Sequence, residues 1–509
     1  MLEDRSAPQR RLRLSLLISC AFLASCALGP KVPQPNLALP AAYDAAPPGE
    51  APAGALAEAS IDRWWTLYDD PQLEALVEES LTDAPDARSA LARLREALAD
   101  RAQALSDFKP KGSIQASGSR VGTTELAGPP PFNFGGETIS LVNAGVVDSY
   151  SANFDVSWEL DLFGRSFITR RKANADLAAA RFDYEASRTS LAATVADQLF
   201  QVRGLAIQLD DARQAARIAR GLADIAAAKA RHGLGGGADS AQAASDAAQA
   251  EAQAADLKTQ LKAAQRTLLV LVGHGADALD SLPAQPSVGA PPPIPASVPG
   301  RLLARRPDVR EAAMRLLSAK GTLKLDELAL FPTFTLQPGL GLSDTPILGQ
   351  ASVADSWTLG LALAQPILDI PRLKAEIRAQ GARADQDVIA YEKAVQTAFG
   401  EADSALMQLG SDEARVRTLT AGEAQALSAY EAEQKAYAAG IDDLTSVLTA
   451  ERTWRSARTA LTGAKVAALR RSVQTFKALG GGWSDAELAA AETRARKGAG
   501  PAAATNIAR

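Results

Sequence analysis

From Ser149 to Leu162 apolar and polar side chains alternate without a break. Tyr150, Ala152, Phe154, Val156, Trp158, Leu160 and Leu162 fall on one side of an extended chain, and Ser149, Ser151, Asn153, Asp155, Ser157, Glu159 and Asp161 on the other. Successive side chains of a strand point to opposite faces, so this segment reads as a strand with one aromatic and aliphatic face and one wholly polar face. A sandwich edge alternates too, but an all-polar opposite face over this length suits a membrane barrel with lipid outside and water inside. The strand feeds Ser166 to His232, which carries no proline and reads as a single helix of roughly 100 Å at ~1.5 Å per residue. An ordinary domain has no use for such a length. Leu191, Val195, Leu199 and Val202 form a modest apolar seam, with Ala and Gly elsewhere allowing close neighbours. Gly233-Leu234-Gly235-Gly236-Gly237 ends the helix and reverses the chain into a second one, from about Asp239 to Val272.

The plan returns later in the chain. Arg165, Gly233 and Gly273 recur 207 residues on as Arg372, Gly440 and Gly480, and Pro85-Asp86-Ala87-Arg88 and Pro110 recur at an offset of 222 as Pro307-Asp308-Val309-Arg310 and Pro332. The 15-residue difference falls between the two strands of each pair, where the first copy carries the loop GPPPFNFGG. The expected organisation is therefore repeat one over 61–275, with strands at about 113–121 and 149–162 and a helical hairpin over 166–273. A Pro-rich linker over 276–300 leads to repeat two over 301–480, with strands at about 333–341 and 356–365 and a hairpin over 372–479. Residues 481–509, rich in Ala, Arg and Glu with little to bury, are expected to form a flexible tail.

The start of the chain is a targeting device. Arg5, Arg10, Arg11 and Arg13 precede an apolar run from Leu14 to Leu23, closed by Leu23-Ala24-Ser25-Cys26, so residues 1–25 read as a secretory signal. The tetrad resembles the lipobox of bacterial lipoproteins, which implies lipidation at Cys26; cleavage before Cys20 would leave a stunted apolar core. In that comparison Ala27, where an aspartate would suggest retention at the inner membrane, points to the outer membrane. Residues 26–60 are a Pro/Ala-rich tether, after which Trp64, Trp65 and Tyr68 must find a surface to cover. Cys20 and Cys26 are the only cysteines, which excludes a disulfide framework. With only His232 and His274 and no nucleotide loop, no catalytic or metal constellation is expected, and no cofactor. The net charge is −5, and nothing in its distribution recruits nucleic acid.

Four strands are too few to close a spanning barrel, and open sheet edges do not survive in lipid, so several chains must share one barrel. Their number does not follow from this. Taken in order, the lipobox, Trp64-Trp65 before Asp70-Pro71-Gln72-Leu73, Trp158-Glu159-Leu160-Asp161-Leu162-Phe163-Gly164-Arg165, Arg305-Arg306-Pro307-Asp308-Val309-Arg310, Phe331-Pro332 and Lys477-Ala478-Leu479-Gly480 resemble the TolC-like outer-membrane efflux channel lipoproteins. The nearest branch is the NodT-like one, which partners resistance-nodulation-division pumps.

The resemblance implies a mixed α/β membrane protein: a homotrimer with a 12-stranded β-barrel continuous with a periplasmic α-helical barrel, built from two repeats in each chain. It implies docking to a periplasmic adaptor and an inner-membrane transporter, contact with outer-membrane lipid, and passive efflux without catalysis. Gly233 and Gly440 become adaptor-facing turns, and Tyr150, Phe154, Trp158 and Trp357 membrane-face aromatics. The branch commonly places a pore aspartate nine residues after the second turn glycine; here that position is Thr449, which weakens an acidic ring. Asp442, Asp443, Thr449, Arg452 and Asp239 are the constriction candidates. A type I protein-secretion channel and a periplasmic structural coiled coil are the alternatives.

Overall fold

The computed structural model describes residues 30, 32–40, 42–44, 59–124, 132–135, 137–139, 145–294, 305–344 and 352–498. The signal sequence, Cys26 and residues 499–509 lie outside them. The described residues fall into two compact units, one drawn from within 1–33, 99–176 and 316–387, the other from within 34–98, 177–315 and 388–509.

The first unit is built on a four-stranded antiparallel sheet of β1 (Lys111–Thr123), β4 (Gly145–Leu160), β5 (Thr333–Asp344) and β6 (Val353–Ala364), in the order β1-β4-β5-β6. A separate short hairpin, β2 (Phe132–Phe134) with β3 (Glu137–Ile139), occupies the segment expected as loop. At their outer ends the strands reach further than the alternation marks, because Gly- and Ser-rich residues there also pair, with Thr123 opposite Gly145; toward the helices β4 stops at Leu160 and β6 at Ala364, short of the expected Leu162 and Gln365.

Directly opposed residues of an antiparallel pair share a face. Ile114, Phe154, Leu340 and Trp357 therefore form one row across all four strands, and Trp158, Leu336 and Leu361 another. This face is bare: Trp357 is 77% exposed and Leu359 68%. The opposite face carries the rows Ser117–Ser151–Ser343 and Gln115–Asn153–Gly341–Ser356. Here Gly341 makes room for its neighbours, since a Cβ would come within 2.7 Å of the Ser356 hydroxyl and 2.8 Å of Asn153 Oδ1 and displace both side chains. Beyond Tyr150 the apolar rows stop at a two-pronged Arg120–Asp148 ion pair of 2.7 and 2.8 Å. From Tyr150 to Leu160 the apolar face extends ~34 Å along the strand, or ~26 Å in height at a tilt of ~40°.

Helices make up most of the remaining described residues. α1 (Ala59–Asp62), α2 (Pro71–Asp83) and α3 (Pro85–Ser106) precede the sheet. The first hairpin is α4 (Arg165–Arg231) with α5 (Gly237–Val272), and α6 (Pro307–Leu328) leads into β5. The second hairpin is α7 (Ile370–Ala438) with α8 (Leu444–Ala478), and α9 (Asp485–Gly498) follows.

In the second unit the tryptophans that leave the tether form the core. Trp64 and Trp65 are buried with Leu73, Val77, Leu199, Leu268 and Val473, and Trp64 stacks on Phe476 with centroids 5.8 Å apart. Asp70 caps α2 by accepting the Gln72 and Leu73 amides at 3.1 and 3.2 Å, and it also receives Arg203. Upstream, Leu37 and Leu39 pack on Val309, Tyr391 and Val395, and the Tyr43 ring stacks on Phe399 at 5.6 Å.

The tail expected to be flexible over 481–509 is instead a packed helix across Asp485–Gly498. Leu488, Ala491 and Ala495, spaced three and four apart, lay a narrow stripe against Leu94, Leu177 and Tyr184. Glu487 and Glu492 pair with Arg188 and Arg181. These small residues find their partners on other helices distant in sequence, which composition does not carry.

Candidate pore constriction at the hairpin ends

Both hairpin turns use the same device. Gly233 and Gly440 adopt φ of 69° and 71°, the left-handed region where glycine carries no Cβ penalty. Around them the Leu234 amide donates to Lys229 O at 2.8 Å and Gly233 to Ala230 O at 3.1 Å. The Ile441 amide likewise donates to Ala436 O at 2.9 Å and Gly440 to Tyr437 O at 3.1 Å. These are paired C-terminal caps that close each long helix before the chain reverses. Lys229, near the end of α4, donates to the Tyr437 hydroxyl at 2.7 Å and lies 4.2 Å from that ring, tying the two hairpin ends together.

The candidate acids have definite local duties. Asp443 is the N-cap of α8, its Oδ1 accepting the Ser446 amide at 2.8 Å. Asp442 accepts the Asp443 amide at 2.8 Å, a contact that with Glu433 holds its carboxyl below the usual range. The reciprocal effect of Asp442 pushes the Glu433 carboxyl up. Thr449 donates within its own helix, to Thr445 O at 2.8 Å.

Of the five candidates the structure brings three together. Asp239, Thr449 and Arg452 line one cleft of about 200 Å³ with Gln242, Thr445 and Leu448. Arg452 does not stand free: it pairs with Asp246 of α5, a buried carboxylate that also accepts Gln242 Nε2 at 3.3 Å. The pairing continues up α8 into a groove of about 630 Å³ between α4, α5 and α8. Arg458 reaches Asp211 at 2.6 Å and Arg455 reaches Glu451 at 2.8 Å. Burial pushes the carboxyls of Asp211 and Glu451 up against the pull of these arginines. Asp211, Asp246, Glu451, Arg455 and Arg458 were missed in the sequence. The signal that could have found them is the three-residue spacing of Arg452, Arg455 and Arg458 on one side of an otherwise Ala- and Thr-rich helix.

The four aromatic candidates, Tyr150, Phe154, Trp158 and Trp357, all lie exposed on the apolar sheet face. Trp158 fixes its polar edge by donating Nε1–H to the Phe108 carbonyl at 3.1 Å.

A sheet with a bare apolar face and a polar reverse, joined to helices of 67 and 69 residues, defines a channel protein of the bacterial outer membrane. The chain belongs to the outer membrane efflux protein family, whose model matches residues 76–274 and 298–481. It is 29% identical over 489 residues to the pyoverdine export outer membrane protein OpmQ of Pseudomonas aeruginosa, covering 92% of this chain and 97% of that one. It is 26% identical to the toluene efflux pump outer membrane protein TtgC of Pseudomonas putida, covering 92% and 95%. Among solved structures, the outer-membrane channel OprN superimposes with a TM-score of 0.74 at 27% identity, over 90% of this chain and all of that one. The fold is also that of the Campylobacter jejuni CmeC channel, with a TM-score of 0.78 at 23% identity over 93% and 98%. The protein is an outer-membrane efflux protein with a periplasmic helical part, a transport duct and not an enzyme.

Proposed function

We propose that three copies of this chain close one 12-stranded barrel in the outer membrane and extend it as a helical tunnel into the periplasm. The chain then serves as the exit duct of a tripartite efflux system. The observation that carries this is the sheet itself: its outer strands β1 and β6 each have one edge unpaired among the described residues, and its apolar face is uncovered. Lipid tolerates neither an open edge nor a polar face, and only closure by further copies of the same sheet satisfies both. The ~26 Å height of the apolar rows fits the ~25 Å lipid-facing band of such barrels. The row Gln115, Asn153 and Ser356 then lines water.

The two halves act as repeats, each supplying two strands and one hairpin, and Cys26 carries the lipid anchor. The Gly233 and Gly440 turns face a periplasmic adaptor, and an inner-membrane pump of the resistance-nodulation-division type drives small toxic compounds through. Asp239, Asp442, Asp443, Thr449 and Arg452 lie at the narrow end of the tunnel. There the Arg452–Asp246 pair holds the second hairpin's returning helix against that of the first, and its release widens the aperture.

The purified protein inserted into planar bilayers is expected to run as a heat-modifiable trimer with low conductance, and R452A or D246A is expected to raise that conductance. A protein that stays monomeric and does not enter the bilayer would overturn the barrel. Conductance unchanged in R452A, D246A, D442A and D443A alike would remove the constriction from these residues.

A further inference from the structure

Just past the sheet, where strands become helices, the first unit carries an apolar collar followed by unpaired positive charge. Leu162 and Phe167 are exposed beside β4, and Ile367 and Leu368, between β6 and α7, are 72% and 93% exposed. Large side chains left this bare in sequence continuity with the apolar sheet face are unfavourable in water. One to two turns into the helices stand Arg170, Arg171, Lys374 and Arg378, all exposed. Arg171 lies 5.9 Å from the Phe167 ring.

Of the acids nearby, Asp326 of α6 faces Glu376 and Arg383, and the others are already engaged. Glu159 pairs with Arg165 at 3.2 Å, Asp176 with Lys172 at 2.9 Å, and Asp369 and Glu376 with Arg372 at 3.7 and 3.2 Å. Asp161 accepts the Arg165 and Ser166 amides at 2.7 and 2.9 Å. Arg170, Lys374 and Arg378 have no acidic partner among the described residues. Arg171 and Arg378 each stand six residues beyond their equivalents Arg165 and Arg372, so both helices bring a cation to the same depth.

That depth identifies the occupant. Counting ~1.5 Å per residue from the starts of α4 and α7, Arg170, Arg171, Lys374 and Arg378 lie ~6–12 Å below the junction. The headgroup layer beyond each side of a hydrocarbon core is ~5–8 Å thick, and long basic side chains snorkel toward it. The chain's own anchor points to the same level. Pro30 seats so closely on α7 that a Cβ at Gly381 would meet its ring. Cys26, four residues earlier, is at most ~14 Å of extended chain away.

We propose that this collar binds the headgroups of anionic phospholipids in the periplasmic leaflet, their acyl chains covering Ile367, Leu368 and Phe167. The proposal rests on the barrel spanning the membrane as described above.

The test uses the full-length lipidated protein, stripped of native lipid in mild detergent and titrated with dioleoyl phosphatidylglycerol or dioleoyl phosphatidylethanolamine. Thermal midpoint and lipid retained in native mass spectra are the readouts. Phosphatidylglycerol is expected to raise the midpoint and to be retained preferentially. The preference should fall about fivefold for each charge removed in R170Q, R171Q, K374Q and R378Q, and fade in high salt. R171K/R378K should keep the preference where R171Q/R378Q loses it, which separates charge from folding. Equal response to the two lipids, or a preference that survives all four substitutions, overturns the collar while leaving the barrel intact. A parent protein that retains neither lipid and is monomeric in the native mass spectra overturns the barrel first.

Discussion

Glu185 of α4 makes a quantitative prediction. Its side chain is fully buried, and neither carboxylate oxygen has a hydrogen-bond partner. The nearest cation, Arg188, is 3.8 Å away and also paired with Glu487 of α9. Burial, partly relieved by Arg188 and reinforced by Glu487 and Asp485, pushes the carboxyl up to about 7 from an ordinary value of 4.5. The folded protein thus keeps a proton that the unfolded chain has already lost, and stability falls as pH rises from about 4.5 to 7. At ~1.4 kcal/mol for each pH unit across that window, the penalty is under ~1 kcal/mol at pH 5 and roughly 3 kcal/mol at pH 8. Glu185→Gln cannot ionise and escapes the whole of it. Any fixed cost of burying the amide is the same at every pH, so the pH dependence of the difference is diagnostic. Thermal melts followed by tryptophan emission should place E185Q a few degrees further above the parent at pH 8 than at pH 5. A difference that stays flat across that range would refute the assignment of a buried, proton-retaining acid.

Three further outcomes follow from local geometry. His274 donates to Glu79 at 2.8 Å and to Asp277 at 2.9 Å, and these two acids, Glu79 foremost, raise its pKa. Its contribution is complete below about pH 6.5 and lost as pH rises through the raised value, so amide exchange in the 274–277 turn should quicken above that value in the parent and be pH-insensitive in H274Q, once intrinsic rates are removed. Arg203→Met strands the half-buried Asp70 and should cost on the order of 3–5 kcal/mol, with D70N/R203M costing clearly less; equal losses in urea unfolding of the two variants would deny the pairing. Gly381→Val leaves no room for Pro30, and limited proteolysis should cut faster within 30–40 than in the parent; identical cleavage would mean the tether does not depend on that seat.

The strands were legible because β-pairing depends on alternation, which sequence displays directly. Tyr150, Phe154 and Trp158 fall together from periodicity alone, and register adds that Leu340 and Trp357 continue the row of Phe154 across the sheet. The long helices and the turns at Gly233 and Gly440 were legible for a similar local reason, since a left-handed C-cap depends on glycine. Partners distant in sequence were not. Asp246 and Arg452 are 206 residues apart, and Arg188 and Glu487 299, so no local pattern announces either pair. The same blindness made α9 read as a flexible tail. Its three small apolar residues say nothing until Leu94 and Tyr184 supply the groove.

The distribution of packing within the second unit bears on how an aperture could open. Large apolar residues gather around Trp64, Trp65 and Phe476, where truncation would cost several kcal/mol, about 3–5 for an aromatic. Toward the hairpin ends, Ala219, Ala247 and Ala250 form one small cluster and Tyr430, Val447 and Trp454 another. Alanine contacts hold helices close but bury little area, so beside the stacked Tyr430–Trp454 pair cohesion there draws on ion pairs such as Arg452–Asp246. With Arg452 half exposed, that pair contributes on the order of 1 kcal/mol, a quantity that one adaptor contact could offset. Segments that move are drawn from the least stable parts of a fold. In the tunnel proposed above, a mid-region fixed by the large aromatic core and an end held by small clusters and a few ion pairs would let the end widen first while the rest of the wall keeps its packing.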